Sequence, residues 1–234
     1  MWRTSWQHHR RAGRRVAVLP ECRAMRFPLG VVDVVFGLAV PTTDAARRAK
    51  DLGFMHIDVS SEIADDLAIP IGDRMSFPSP APDRSCPAPP EGAGAWDAAV
   101  AAYRRSPGMR LEPWGGSIVN TIEKVKAMID QVPGLRLLVD TGHVAGWGED
   151  PLELLEFADH VQLRQARKGP VQAPADDGDV DFGALFDRLD ALGYCGRVSI
   201  EYFDLPEYGW PLDDPIGHAL ALRDVVLPLL EKVG

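Results

Sequence analysis

The 234-residue sequence is poor in cysteine and has no apolar run long enough for a membrane helix. Its three cysteines are odd in number, and their spacing fits neither a zinc ribbon nor a disulfide framework. A reducing, cytoplasmic setting is therefore expected. The sequence also lacks a dinucleotide-binding GxGxxG turn between strand and helix, a P-loop and a GxSxG nucleophile elbow. Membrane-spanning proteins and disulfide scaffolds are excluded.

The charge of the chain is distributed unevenly. Residues 1–24 contain six Arg and one Glu, whereas the other 210 residues hold 19 Lys and Arg against 33 Asp and Glu. Because an acidic body is a poor partner for a phosphate backbone, we expect neither a nucleic-acid nor a membrane partner. The Arg-rich segment 1–24 shows no helical or strand period and is predicted to be a disordered extension, with a transit peptide as the alternative. Residues 25–234 are predicted to form one domain.

Apolar, β-branched segments alternate with helical patterns along that domain. Strands are predicted at residues 29–37, 54–59, 68–71, 109–113, 135–140, 160–164 and 197–203. Alternation of this kind indicates an α/β fold with a parallel sheet, and the length suits a (β/α)8 TIM barrel. Six prolines between residues 78 and 90 predict a surface loop or lid, because a central strand does not tolerate them. One βα unit around residues 60–107 is therefore expected to be degenerate or missing.

Acidic side chains end successive predicted strands. Glu112, Asp140 and Glu201 each stand at the end of a strand, and Gln162 lies at the corresponding depth of another. The carboxyl ends of barrel strands carry the active site, and neighbouring strands lie about 4.8 Å apart, so these side chains should converge. A divalent cation would relieve their repulsion, and oxygen ligands favour Mn²⁺ or Mg²⁺. The alternative for each acid is a helix N-cap or a solvated position.

Further candidates flank these strand ends. His143 follows Asp140 by three residues, so that one turn could bring it over the barrel mouth, although it could also pack locally. Asp58 ends the second predicted strand and could be a pocket acid or a cap. Trp114 could supply an apolar wall or belong to the core. The loop 203–215 could reach across the mouth, mediate dimerisation or pack beneath the last helix.

Longer segments of the sequence resemble a known family. The runs LLVDTGHVAGWGEDPLELL, DHVQLRQARKG and GDVDFGALFDRLDALGYCGRVSIEYF resemble the xylose isomerase-like TIM-barrel superfamily, the sugar isomerases and epimerases. ARRAKDLGFMHIDV resembles the first helix and second strand of that family, and LEPWGGSIVNT resembles its fifth strand. The resemblance implies a (β/α)8 barrel, a carbohydrate-like substrate and a metal site built by the last four strands.

Residue by residue, the resemblance implies a site at the predicted strand ends. The metal ligands of the family fall on Glu112, Asp140, Gln162 and Glu201. Gln162 stands where the family has histidine, because this chain reads HVQLRQA and the family usually reads HVHLKDA. Substrate-binding residues of the family fall on His143 and Arg167, and Trp114 and Asp58 are added from the spacing above. The implied cofactor is a divalent ion, Mn²⁺ or Mg²⁺ first, with Co²⁺, Fe²⁺ or Zn²⁺ as alternatives.

The implied function is a metal-dependent sugar isomerase or epimerase. Proton abstraction α to a carbonyl would give an enediolate, with Glu112 or Glu201 as the base and the other residue returning the proton. A lyase or dehydratase acting on a keto sugar or inositol derivative is the first alternative. The second is a non-catalytic barrel, which the replacement of the family histidine by Gln162 would suit. Homo-oligomers are expected by analogy alone.

Overall fold

Eight parallel strands form the centre of the computed structural model, which describes residues 26–60 and 66–231. The strands are β1 (Leu29–Val32), β2 (Ile57–Val59), β3 (Ile71–Arg74), β4 (Ser85–Pro87), β5 (Arg110–Glu112), β6 (Arg136–Asp140), β7 (Ala158–Leu163) and β8 (Val198–Ile200). The helices are α1 (Thr42–Asp51), α2 (Ala95–Tyr103), α3 (Ile122–Gln131), α4 (Thr141–Trp147), α5 (Phe182–Ala191) and α6 (Pro215–Leu230).

The strands are arranged as a barrel with one weak seam. Hydrogen-bonded neighbours run in the order β3-β2-β1-β8-β7-β6-β5-β4, so β3 and β4 end the sheet on either side. A single parallel bridge, between Met75 and Ser85, joins the two ends. The predicted fold class, a (β/α)8 barrel, is confirmed. The predicted degenerate unit lies at this seam, where residues 75–84 connect β3 to β4 without a helix.

The main apolar core lies between the strands and the helices. Helix α3 is capped by Thr121, whose side chain accepts a hydrogen bond from the Lys124 amide, and its Val125 and Met128 are fully buried. Helix α5 buries Leu185 and Leu189 at helical spacing. These apolar stripes pack the helices against the outside of the barrel. Because this packing supplies the main apolar core, polar side chains can occupy the strand ends.

Three local predictions were wrong in detail. The strand expected at 68–71 lies later in the chain, because β3 spans Ile71–Arg74. The apolar run at 29–37 is not strand throughout, because β1 ends at Val32 and residues 33–36 form a 3-10 helix. The proline-rich segment 78–90 is not loop throughout, because it contains β4. That strand is three residues long and lies at the seam, paired along its length with β5 on one side and by the single bridge of Ser85 to Met75 on the other. A sheet edge tolerates the neighbouring prolines that a central strand would not.

Four polar side chains are buried inside the barrel, and we call them the interior cluster: His56, Asp58, His160 and Ser199. His160 Nε2 lies 2.6 Å from Asp58 Oδ2, and His56 Nε2 lies 2.9 Å from Ser199 Oγ. Gly30 and Gly72 make room for this cluster, because a Cβ at either position would lie 2.2 Å or 2.1 Å from the His56 ring.

The prediction for residues 1–24 lies outside the described residues. Within 26–60 and 66–231, none of the helices combines the length and the apolar character that crossing a bilayer requires.

Candidate active site

Four neighbouring strands bring polar side chains to one end of the barrel. Glu112 is the last residue of β5, Asp140 is the last of β6, and Glu201 directly follows β8. Gln162, in β7, is paired in register with Asp140 on one side and with Ser199 of β8 on the other. All four side chains are buried. The structure therefore places the sequence-predicted Glu112, Asp140, Gln162 and Glu201 at the same end of adjacent strands.

The turn from β6 into α4 brings His143 to this group. Asp140 caps the helix, because its Oδ1 accepts a hydrogen bond of 2.8 Å from the Gly142 amide. The first helical turn then carries His143 back, with Nε2 at 3.4 Å from Asp140 Oδ2 and 3.9 Å from Glu112 Oε1. Ligand atoms of these three residues lie within 4.8 Å of one another, a spacing that a metal ion could use.

A buried arginine completes the group. Arg164 has no exposed surface; its Nη2 donates to Asp140 Oδ2, and its Nη1 lies 3.5 Å from Glu201 Oε2. Sequence reasoning missed this residue, although alternation along the strand was a usable signal, since residues 162 and 164 share a face. We call Glu112, Asp140, His143, Gln162, Arg164 and Glu201 the strand-end cluster.

Carboxyl groups in the strand-end cluster are shifted toward their protonated forms. Burial, followed by repulsion from Asp140, raises the pKa of Glu112 to about 8. Burial also raises the pKa of Glu201 well above its ordinary value, and the nearby acids oppose its ionisation further while Arg164 favours it. Burial lowers the pKa of His143 to about 4, so its imidazole is neutral at pH 7. Neutral acids and a neutral histidine in one buried site are suited to proton transfer near neutral pH.

The four-residue metal set suggested by the sequence meets an obstacle in Arg164. A divalent ion at about 2.1 Å from the Asp140 oxygen that Arg164 binds would lie within about 5 Å of the guanidinium. With an effective dielectric constant of about 20, the repulsion between charges of +2 and +1 at that separation is roughly 7 kcal/mol. Gln162 offers only a neutral amide oxygen in place of an imidazole. Arg164 thus opposes a divalent ion beside Asp140, and metal ligation by these four residues stays a prediction.

An aromatic loop lies over the strand-end cluster. The Trp210 ring centroid is 5.5 Å from that of His143 and 6.2 Å from that of Trp114, which it meets edge to face. Tyr208 stacks on the other side of Trp210 at 5.8 Å. The loop after β8 therefore reaches across the mouth, which was the first of the alternatives that the sequence left open. Trp114 is anchored by its Nε1 hydrogen bond of 2.7 Å to the Ala88 carbonyl and also packs against the core, so its role as an apolar wall for a substrate stays a prediction.

Two sequence-predicted substrate contacts lie apart from the strand-end cluster. The Arg167 side chain is partly exposed and forms an ion pair with Asp177 in the loop after β7. Asp58 is fully buried in the interior cluster, where its hydrogen-bond partner is His160. Among the described residues, neither side chain has a recorded hydrogen bond or ion pair with the strand-end cluster, so their roles toward a substrate stay predictions.

Comparison with known proteins places the chain in a family. A family model described as the xylose isomerase-like TIM barrel matches residues 95–224, more than half of the sequence. The chain belongs to this family. The match includes β5 to β8 and therefore every member of the strand-end cluster.

The chain spans about half the length of the curated relatives it matches. The chain is 29% identical over 141 residues to an inosose dehydratase of Clostridium perfringens, a match that covers 49% of this chain and 47% of the relative. It is 26% identical over 140 residues to the L-ribulose-5-phosphate 3-epimerase UlaE of Shigella boydii, covering 57% of this chain and 48% of the relative.

A solved structure resembles the barrel more completely. A xylose isomerase-like TIM-barrel protein from Mycobacterium smegmatis, solved in complex with magnesium, superposes with a TM-score of 0.65. The alignment covers 88% of this chain and 97% of that protein at 14% sequence identity. At this identity the likeness establishes the fold and no more.

Proposed function

We propose that the chain is an enzyme that moves a proton at the carbon next to a carbonyl group in a small, sugar-like substrate. The observation that carries the proposal is the strand-end cluster, in which three carboxyl groups and a neutral histidine are buried together at the active-site end of a barrel. Isomerisation or epimerisation is the first reaction class. Dehydration is the second, because the curated relatives of the chain include both an epimerase and an inosose dehydratase.

Glu112 and Glu201 are the proton-transfer groups in this proposal. One of the two, ionised as a carboxylate, takes the proton from the α carbon. The other, protonated, returns a proton either to the opposite face of that carbon, which gives epimerisation, or to the neighbouring carbon, which gives isomerisation. A pKa of about 8 for Glu112 lies near working pH, so both of its forms are accessible. If a hydroxyl group stands β to the carbonyl, the same intermediate can expel it as water after the protonated carboxyl has given the hydroxyl a proton, which gives dehydration instead.

Hydrogen-bonding atoms for the substrate are available at the same place. Both amide atoms of the Gln162 side chain, and Glu201 Oε2, are buried without a hydrogen-bond partner among the described residues. A substrate carbonyl oxygen could accept from Gln162 Nε2 and would gain stabilisation as negative charge develops on it, and a substrate hydroxyl could donate to Gln162 Oε1. His143, neutral at pH 7, can donate to a second oxygen, and Trp210 limits the access of water.

The direct test is exchange of substrate protons with solvent deuterium, followed by proton NMR. A panel of ketoses, aldoses and inososes is incubated in D₂O with the wild type, Glu112→Gln, Glu201→Gln and the control Glu156→Gln. Glu156 is an exposed glutamate that precedes β7, at the opposite end of the barrel. Exchange that is present in the wild type and the control and lost in the other two variants is expected. Absence of exchange or turnover across the whole panel would favour a non-catalytic barrel.

A further inference from the structure

Arg164 is the arginine of the strand-end cluster and lies beside two of its carboxyl groups. It binds Asp140 through Nη2, approaches Glu201 with Nη1, and its Cζ lies 4.3 Å from the centroid of the Phe203 ring. A guanidinium stays protonated in proteins and is costly to bury without anionic partners. Its position between two carboxyl groups and under an aromatic face is therefore the arrangement that charge and desolvation favour.

The backbone around Arg164 is shaped to admit this side chain. Gly142 lies against it, and a Cβ at that position would be 2.3 Å from Arg164 Nε. Thr141 Oγ1 donates to the Arg164 carbonyl at 2.9 Å and accepts from the Arg164 amide at 2.8 Å. The turn that caps α4 with Asp140 thus also fixes the backbone of Arg164, so that the arginine and its carboxylate partner are positioned by the same few residues.

Two residues at the end of β7 act in the same direction. Gln162 offers a neutral amide where the resemblance implies an imidazole ligand. Arg164 carries a planar guanidinium whose N–H groups can reach two carboxyl groups at once, which a lysine ammonium does not reproduce. The first residue is a weak metal ligand, and the second brings a cation to the site.

We infer that Arg164 is the permanent cation of the strand-end cluster and takes the place of a divalent metal ion. It is a positioning residue, because it acts by binding Asp140 and placing its charge beside Glu201 rather than by touching a substrate. The inference depends on the proposed function only in stating that catalysis proceeds without a metal; the binding claim rests on the contacts of Arg164 itself.

The test measures Mn²⁺ binding to the full chain, by the electron paramagnetic resonance signal of the free ion and by calorimetry. Wild type is compared with Arg164→Gln, which removes the positive charge, with the double variant Gln162→His/Arg164→Gln, and with the control Arg136→Gln. Arg136 is a partly exposed arginine that also pairs with an aspartate, at the opposite end of β6. Thermal unfolding checks that each variant is folded.

Wild type and the control are expected to leave millimolar Mn²⁺ free. The double variant should bind one ion, at least roughly tenfold more tightly than the wild type, and should lose it when Asp140→Asn is added. Stoichiometric binding of Mn²⁺ by the wild type, lost in Asp140→Asn, would overturn the inference. So would a folded double variant that gains no affinity. If the double variant does not fold, the wild-type measurement still decides, because tight binding alone refutes the inference.

Proton exchange measured in the presence of a chelator separates this inference from the proposed function. Exchange that continues in chelator supports both. Exchange that stops in chelator and returns with Mn²⁺ overturns the inference and leaves the proposed function standing. A wild type that binds no Mn²⁺ and exchanges no substrate contradicts the proposed function and leaves the assignment of Arg164 in place.

Discussion

Among the residues that the structure describes, the strand-end cluster and the interior cluster both bury acids with histidines, and they balance their charges differently. In the interior cluster one aspartate faces two histidines; burial alone would raise the pKa of Asp58, but His160 and His56 lower it to about 2. In the strand-end cluster three carboxyl groups share one arginine, and the pKa of Glu112 rises to about 8. An acid with its own cation remains charged and holds the fold together. Acids that outnumber their cation retain protons, which is what proton transfer requires.

Among the substitutions that test this difference between the two clusters, we expect the largest effect from one in the strand-end cluster, and we expect it on catalysis. Glu112→Gln removes a proton-transfer group, so we expect proton exchange to fall by about 10²- to 10⁴-fold. The amide replaces a carboxyl that is largely protonated near pH 7, so the free energy of unfolding should change by less than about 1 kcal/mol. Exchange rates and urea unfolding are measured on the same sample. Loss of stability together with loss of exchange would mean that Glu112 is a structural acid.

Replacing an acid by its amide in the interior cluster should instead lower stability and leave proton exchange intact. Asp58→Asn leaves the buried His160 without its anion, and breaking a buried ion pair from one side costs about 3–5 kcal/mol. We expect urea unfolding to show a loss of this order. Per folded molecule, proton exchange should be retained. A loss below about 1 kcal/mol would show that the pair is not ionised in the folded protein.

Acid pH provides a smaller test of the interior cluster. Burial lowers the pKa of His56 to about 4 in the folded protein, against an ordinary value near 6.5. Because the unfolded chain binds this proton first, its contribution to stability is present above pH 6.5 and is lost as the pH falls toward 4, by at most about 3 kcal/mol.

The raised pKa values of Glu112 and Glu201 act in the opposite direction over part of that range, since the folded state then holds the extra protons. The informative quantity is therefore the difference between the wild type and His56→Gln, measured by urea unfolding from pH 7 to pH 4. The difference in unfolding free energy should narrow as the pH falls. A difference in unfolding free energy that does not change with pH would refute the lowered pKa of His56.

The smallest expected effect concerns the aromatic loop over the strand-end cluster. Trp210→Ala removes the ring that lies against His143 and Trp114, so KM should rise several-fold with a smaller change in kcat. Tyr208→Ala is the matched control, because Tyr208 stacks on the outer side of Trp210 and is largely exposed. Equal effects of the two substitutions would indicate a general loosening of the loop.

The sequence predicted the strand-end acids because parallel strands end at one edge of a sheet. Glu112, Asp140 and Glu201 follow from that rule alone, and His143 follows from the length of one helical turn. The rule contains no information about which cation neutralises the acids. Arg164 is identified only when its side chain is seen to turn toward Asp140, and Trp210 only when the loop after β8 is seen to cross the mouth.

The first half of the barrel was harder to predict than the second. Strand β4 is short, lies at the seam and is surrounded by prolines, so neither its period nor its composition marks it as a strand. The role of Asp58 illustrates the same limit. Its place at the end of an apolar run suggests a pocket acid, whereas pairing with His160, 102 residues away, places it in the interior cluster.

The most direct test of the contrast is a carbon-13 NMR titration of metal-free protein labelled at the glutamate side-chain carboxyl carbons. Glu112→Gln and Glu201→Gln assign the two resonances. Glu112 should titrate near pH 8, and Glu201 should titrate well above its ordinary pKa, while exposed glutamates titrate near theirs. If both carboxyl groups titrate with the exposed ones below pH 5, the strand-end cluster does not hold the protons that the proposed reaction needs.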